Sequence, residues 1–124
     1  MTEKTNAKKL RIEEGFVVWV ISSTAEESSL LDPLPRGARM VDEAAERMDA
    51  VVLFVEDRES LVSNVDEVMP RLGSASVIWI SYPHGIRTDI GRDSICELIG
   101  DYGWRITEAV TINDVWSAVR LSQL

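Results

Sequence analysis

The chain has 124 residues, 45% of them hydrophobic, and a formal net charge of −8. That length suits one domain with a modest buried core, and that hydrophobic content excludes a disordered tail. So negative a surface repels nucleic acid and anionic membranes, and only a local basic patch would reverse this.

Residues 1–8 are polar and are expected to fray. A single α/β domain is expected over residues 9–124. The opening MTEKTNAKKLRIEEG has no apolar signal core, and no run approaches membrane-spanning length. Cys96 is the only cysteine, so no intrachain disulfide forms. A lone thiol suits a reducing compartment, and the expected location is the cytoplasm.

The first strand is expected at FVVWVIS, residues 16–22, a continuous apolar run of the kind covered on both faces in a parallel sheet. A polar, proline-containing connection follows, with a short helical turn near Ser28 to Leu31. ARMVDE is a short strand candidate. DEAAERMD, residues 42–49, reads as a solvated turn or helical piece, and its acid spacing matches no calcium loop. DAVVLFV, residues 49–55, is a second buried-type strand. From Asp57 the period changes: Leu61, Val62, Val65, Val68, Met69 and Leu72 share one helical face, ended by Pro70 and Gly73.

ASVIWIS, residues 75–81, is the third buried-type strand. Ile95, Leu98, Ile99 and Tyr102 fit a second helix that stops at Gly103. Cys96, beside that stripe, is expected to be a buried, inert thiol, although a helix start can lower a thiol pKa and permit redox chemistry. WRITEAVTI and VWSAVRL read as two antiparallel strands around an Asn113-Asp114 turn. The fold class is therefore α/β: a Rossmann-like layered domain, mostly parallel, with one antiparallel strand near the carboxyl terminus.

Between the third long strand and the second helix lies SYPHGIRTDIGRD, residues 81–93. It concentrates Tyr82, His84, Arg87, Thr88, Asp89 and Arg92 in one turn. Open α/β sheets bind ligands beyond the carboxyl ends of their strands, and a following helix offers unpaired amides. These six residues form the candidate site for an acidic small molecule or an acidic protein segment. The competing reading is local: Thr88 or Asp89 caps the helix, and Arg92 pairs with Asp89 or Asp93. Ser81, His84 and Asp89 crowd one turn too closely for a catalytic triad.

Trp19 and Trp79 are expected in the core, and Trp104 partly exposed. Trp116, Ala118 and Arg120 share one face of the last strand. Trp116 and Arg120 make a second candidate patch, with Arg120 reaching an acid or an aromatic ring. No nucleophile elbow, phosphate-cradling loop or zinc spacing is present. No catalytic residue, metal or cofactor is expected, and the chain is expected to be a monomer or homodimer.

The element order resembles S-adenosylmethionine-dependent methyltransferases with shortened helices. That resemblance implies a glycine-rich loop after the first strand and an acid after the second. The chain has SSTAEESS at the first place, with Glu26 and Glu27 set to repel a cofactor carboxylate, and Asp42 or Glu43 at the second. A nearer resemblance is to an uncharacterised bacterial family of small proteins. That family carries LLGPLP, LFV, WISYPKG, TDLNRD and DDTWSALR in order. The chain shows LLDPLP at 30–35, LFV at 53–55, WISYPHG at 79–85, TDIGRD at 88–93 and NDVWSAVR at 113–120. The matching motif positions are Tyr82, Pro83, Thr88, Asp89, Arg92, Asp93, Trp116, Ser117 and Arg120. His84 stands where the family has Lys, Gly91 where it has Asn, and the loop from Gly85 to Thr88 is short. The resemblance implies no activity. The expected role is a non-catalytic binding protein. The alternatives are an interaction or regulatory protein working through its surface, and a divergent methyltransferase.

Overall fold

In a computed structural model, residues 5–21, 29–31, 34–43, 48–72, 75–84 and 90–123 are described. They form a six-stranded sheet in the order β2-β1-β3-β4-β6-β5. The elements are α1 (Asn6–Lys9), β1 (Val17–Ile21), β2 (Arg39–Val41), β3 (Ala50–Phe54), α2 (Arg58–Val68), β4 (Val77–Pro83), α3 (Arg92–Gly100), β5 (Trp104–Thr111) and β6 (Trp116–Gln123). A 3-10 turn, Met69–Arg71, extends α2. β2, β1, β3 and β4 pair in parallel, while β6 runs antiparallel to both β4 and β5. The one reversed strand thus sits inside the sheet, between β4 and β5.

The continuous apolar runs form the central strands because both faces are covered. On one face Trp19, Val51, Leu53, Ile78, Ile80, Val119 and Leu121 pack under Leu61, Val65 and Val68 of α2 and Ile95 and Ile99 of α3. On the other, Val18, Val20, Val52, Phe54, Trp79 and Ala118 pack under Ala7, Leu10, Ile12 and Leu31. Register between β1 and β3 is pinned reciprocally by one aspartate: Val17 N–H donates to Asp49 Oδ2 at 2.8 Å, and Asp49 N–H donates to Val17 O at 2.9 Å.

α2 starts where the sequence places it. Asp57 Oδ1 accepts from Ser60 N–H at 2.8 Å and Ser60 Oγ accepts from Asp57 N–H at 3.2 Å, a capping box worth about 1 kcal/mol. Val62 departs from the expected face: it is 40% exposed, while Leu61, Val65, Val68 and Leu72 are buried and Met69 packs against them. α3 ends at Gly100, so Tyr102 falls in the turn before Gly103 (φ +82) and is exposed. Its hydroxyl instead donates to the Asp66 carboxylate of α2, a bond that raises the phenol pKa. Cys96 is exposed, contrary to the expected buried thiol, because it lies one position past Ile95, off the inward stripe. A thiol reagent is therefore expected to modify Cys96 in the folded protein as fast as in urea. Protection until unfolding would contradict this placement.

Thr5 caps α1 and Ala7 is fully buried, so the packed chain begins ahead of residue 9. α1 closes in a Schellman motif, with Ile12 N–H donating to Ala7 O and Arg11 N–H to Lys8 O. Arg11 occupies the left-handed position (φ 60) that glycine usually fills. An L-residue there costs roughly 1–2 kcal/mol. Trp79 Nε1–H donates to Leu10 O at 2.8 Å in the core and fixes the preceding residue.

Glu26, Glu27, Ser28 and Gly73 lie outside the described residues, as does most of the expected glycine-loop position. Among the described residues no helix is long and apolar enough to cross a membrane, and no three His, Cys, Asp or Glu side chains group to hold a metal.

Candidate functional site

The carboxyl end of β4 meets the start of β6, so strand reversal brings residues about thirty positions apart into contact. Ser81 lies between Phe54 of β3 and Ala118 of β6. It is fully buried, and its Oγ has no hydrogen-bond partner. Tyr82 pairs with Ser117 and packs, half-buried, against the α2–α3 face. Pro83 pairs with Trp116, whose ring meets Phe54 edge-on at 5.4 Å between centroids.

His84 follows on the surface and is held twice. Its N–H donates to Val115 O, and its Nδ1 lies 2.6 Å from Ser117 Oγ. The β5–β6 turn that presents these partners is itself fixed, because Asn113 Oδ1 accepts from Val115 and Trp116 N–H at 2.8 and 2.7 Å. With Nδ1 engaged, Nε2 is the nitrogen left to meet a ligand. Sequence reasoning named Ser117 as a motif position but not as a site residue. No periodicity links it to His84 across thirty-three positions.

Arg92 is the first residue of α3 and is exposed. The cap falls on Gly91, not on Thr88 or Asp89, so no side chain closes the helix start. Among the described residues Arg92 forms no ion pair, and the expected pairing with Asp93 does not occur. Arg87, Thr88 and Asp89 lie outside the described residues.

The two residues of the second patch stand four positions apart on β6. Trp116 stands at the carboxyl end beside Pro83, whereas Arg120 pairs with Trp79 further toward the amino end of β4. Arg120 does reach an acid: Nη1 donates to Glu108 Oε1 at 3.0 Å and Nη2 to Ser76 O at 3.3 Å, while its buried Nε has no partner. Arg11 Nε donates to both oxygens of Glu108, at 2.9 and 3.1 Å. The Arg11 hydrogen bond, aided by Arg120, holds the Glu108 carboxyl below its usual range, against the upward push of burial.

A separate groove of 380 Å³ opens beside the ends of β1 and β2, where Asp42 and Glu43 face Asn64, Glu67 and Arg71 of the α2 region. Trp19 lines it, and the indole Nε1 is buried without an acceptor.

The family model for proteins of unknown function designated DUF3052 matches residues 7–124. The chain belongs to the DUF3052 family. No curated protein matches it. Among solved structures, this DUF3052 chain is similar to an S-adenosylmethionine-dependent methyltransferase from Aquifex aeolicus, with a TM-score of 0.60 and 12% identity over 94% of this chain and 87% of that one. A protein of the NADB-Rossmann superfamily from Streptococcus agalactiae gives a TM-score of 0.60 at 7% identity, covering 99% and 69% of the two chains. The B. subtilis M1A22 tRNA methyltransferase gives 0.58 at 12% identity, covering 100% and 67%. At such identities the likeness is one of fold, and it confirms the Rossmann-like, methyltransferase-like α/β class for the DUF3052 chain.

Proposed function

We propose that this protein is a non-catalytic, cytoplasmic binding protein that takes a small acidic ligand at the turn following β4. The observation that carries this reading is the fixing of His84. Ser117 Oγ holds the imidazole and Val115 O holds the His84 backbone amide at the carboxyl end of the sheet, at the far end of the turn from the uncapped start of α3 and from Arg92, which forms no ion pair among the described residues. A preorganised imidazole, a guanidinium and open helix amides are donors an anion uses. Tyr82, near the end of β4, packs against the α2–α3 face. Arg87, Thr88 and Asp89 belong to the same proposed site through their place in the sequence.

The second reading is a divergent S-adenosylmethionine-dependent methyltransferase, favoured by the groove with Asp42 and Glu43 at the end of β2. An amide-resolved NMR titration with phosphate, simple dicarboxylates and S-adenosylmethionine separates the two. Saturable shifts at residues 82–84, 90–95 and 115–117 are expected with the anions. They should weaken about tenfold in His84→Ala and Arg92→Gln, the scale of losing one charge-assisted bond. Shifts with S-adenosylmethionine at residues 19–21, 42–43 and 64–71 would replace this reading with the methyltransferase one. Silence across the panel would leave neither standing and would favour a protein working through its surface.

A further inference from the structure

Remote from the carboxyl-end turn, α1 and the β5–β6 pair bring together four of the thirteen Lys and Arg residues. Among the described residues that line the two grooves there, Lys8, Lys9, Arg11 and Arg120 stand against Glu13 and Glu108. Two grooves, of 480 and 380 Å³, share Lys8 and Arg11. Arg11 Nε and Arg120 Nη1 both lie within 3.0 Å of a single Glu108 oxygen. One carboxylate thus serves two five-donor guanidiniums, and Lys8 is exposed with no side-chain partner among the described residues.

The backbone adds an independent sign. Arg11 sits in the left-handed conformation at the Schellman position, where glycine would relieve the strain. At that helix end Ala7 O, Lys8 O and Leu10 O are taken by internal donors. Ile12, Phe16 and Val77 supply an apolar wall to the larger groove.

We infer that this groove binds a phosphate monoester, its phosphate between Arg11, Arg120 and Lys8 and its organic part against Ile12, Phe16 and Val77. A tetrahedral phosphate offers enough oxygens to engage, on both guanidiniums, the N–H donors that Glu108 and Ser76 leave open. The site is independent of the one at His84.

The test is an amide-resolved NMR titration of the whole chain with inorganic phosphate and with phenyl phosphate. Saturable shifts are expected at residues 8–12, 76–77 and 120, with phenyl phosphate the tighter of the two. Equal affinity would assign the site to free phosphate and overturn the ester. Arg11→Gly relieves the backbone strain, so it is expected to melt no lower than the parent while binding about tenfold more weakly. Lys8→Gln, on the exposed surface, should weaken binding a few-fold, on the order of one screened charge. Linear, non-saturating shifts, or a saturable site that Arg11→Gly leaves unchanged, would overturn the inference. Shifts at residues 82–84 and 90–95 alone would locate the ligand at the other site and would also overturn it.

Discussion

Trp79→Ala will lower the unfolding free energy by about 3–5 kcal/mol, the range for truncating a buried aromatic. Trp79 is fully buried in the central strand β4 and lies under α1. It is also a donor: its indole N–H meets Leu10 O in a buried bond at 2.8 Å. Against a typical stability of about 5–15 kcal/mol, this loss leaves a partly unfolded protein. Trp79→Phe separates packing from hydrogen bonding. It keeps much of the ring volume but strands the Leu10 carbonyl, at a cost of about 1–3 kcal/mol. Urea unfolding measures both variants, and amide exchange of residues 7–12 reports whether α1 loosens first. A phenylalanine variant with parental stability and parental exchange would show that the indole bond does not hold α1 down.

Ser81→Ala has the opposite sign. The hydroxyl is fully buried and unpartnered, and desolvating such a group costs roughly 1–3 kcal/mol. Alanine fills nearly the same space between Phe54 and Ala118, so stabilisation of about 1 kcal/mol is expected in chemical denaturation. A loss of stability instead would mean that the hydroxyl has an acceptor in solution, a bound water being the simplest. Ser81 is adjacent to Tyr82 and one strand away from Phe54, so the same variant also shows whether ligand binding uses it.

The strands and their direction were legible because burial on both faces writes itself as continuous apolar sequence. FVVWVIS, DAVVLFV and ASVIWIS each became a strand within a residue or two of the expected limits. Helix faces were read less well. Val62 and Tyr102 fit the 3.6 period, but the period gives only an angle, and neighbouring elements decide how wide the covered stripe is. Cys96 was misjudged for the same reason, one position off the stripe. β5 hides a different problem. Its even-numbered residues are all half-buried, which looks like simple alternation. A register shift between Ile106 and Glu108 changes the face they reach, so Trp104 and Ile106 pack with the α2–α3 core while Val110 packs with the α1 core. Nothing in WRITEAVT announces that extra residue. The contact of His84 with Ser117 and the sharing of Glu108 by Arg11 and Arg120 depend on strand order, which pairwise sequence patterns do not carry. The left-handed Arg11 was invisible because glycine, the usual signal, is absent there.

The bulge also bears on what the molecule avoids. β5 is an edge, eight residues long, and an edge of that length offers a ladder of open N–H and C=O groups to any passing strand. At Thr107 the spacing of that ladder breaks, and just beyond it Glu108 and Arg11 place a charged pair beside the rim. A strand arriving in register with Trp104–Ile106 would be out of register by Ala109. The opposite rim, β2, has only three residues and gives too short a template. Both borders of the sheet are therefore poor seeds for amyloid-like stacking, even though its interior strands are rich in the β-branched residues that favour it.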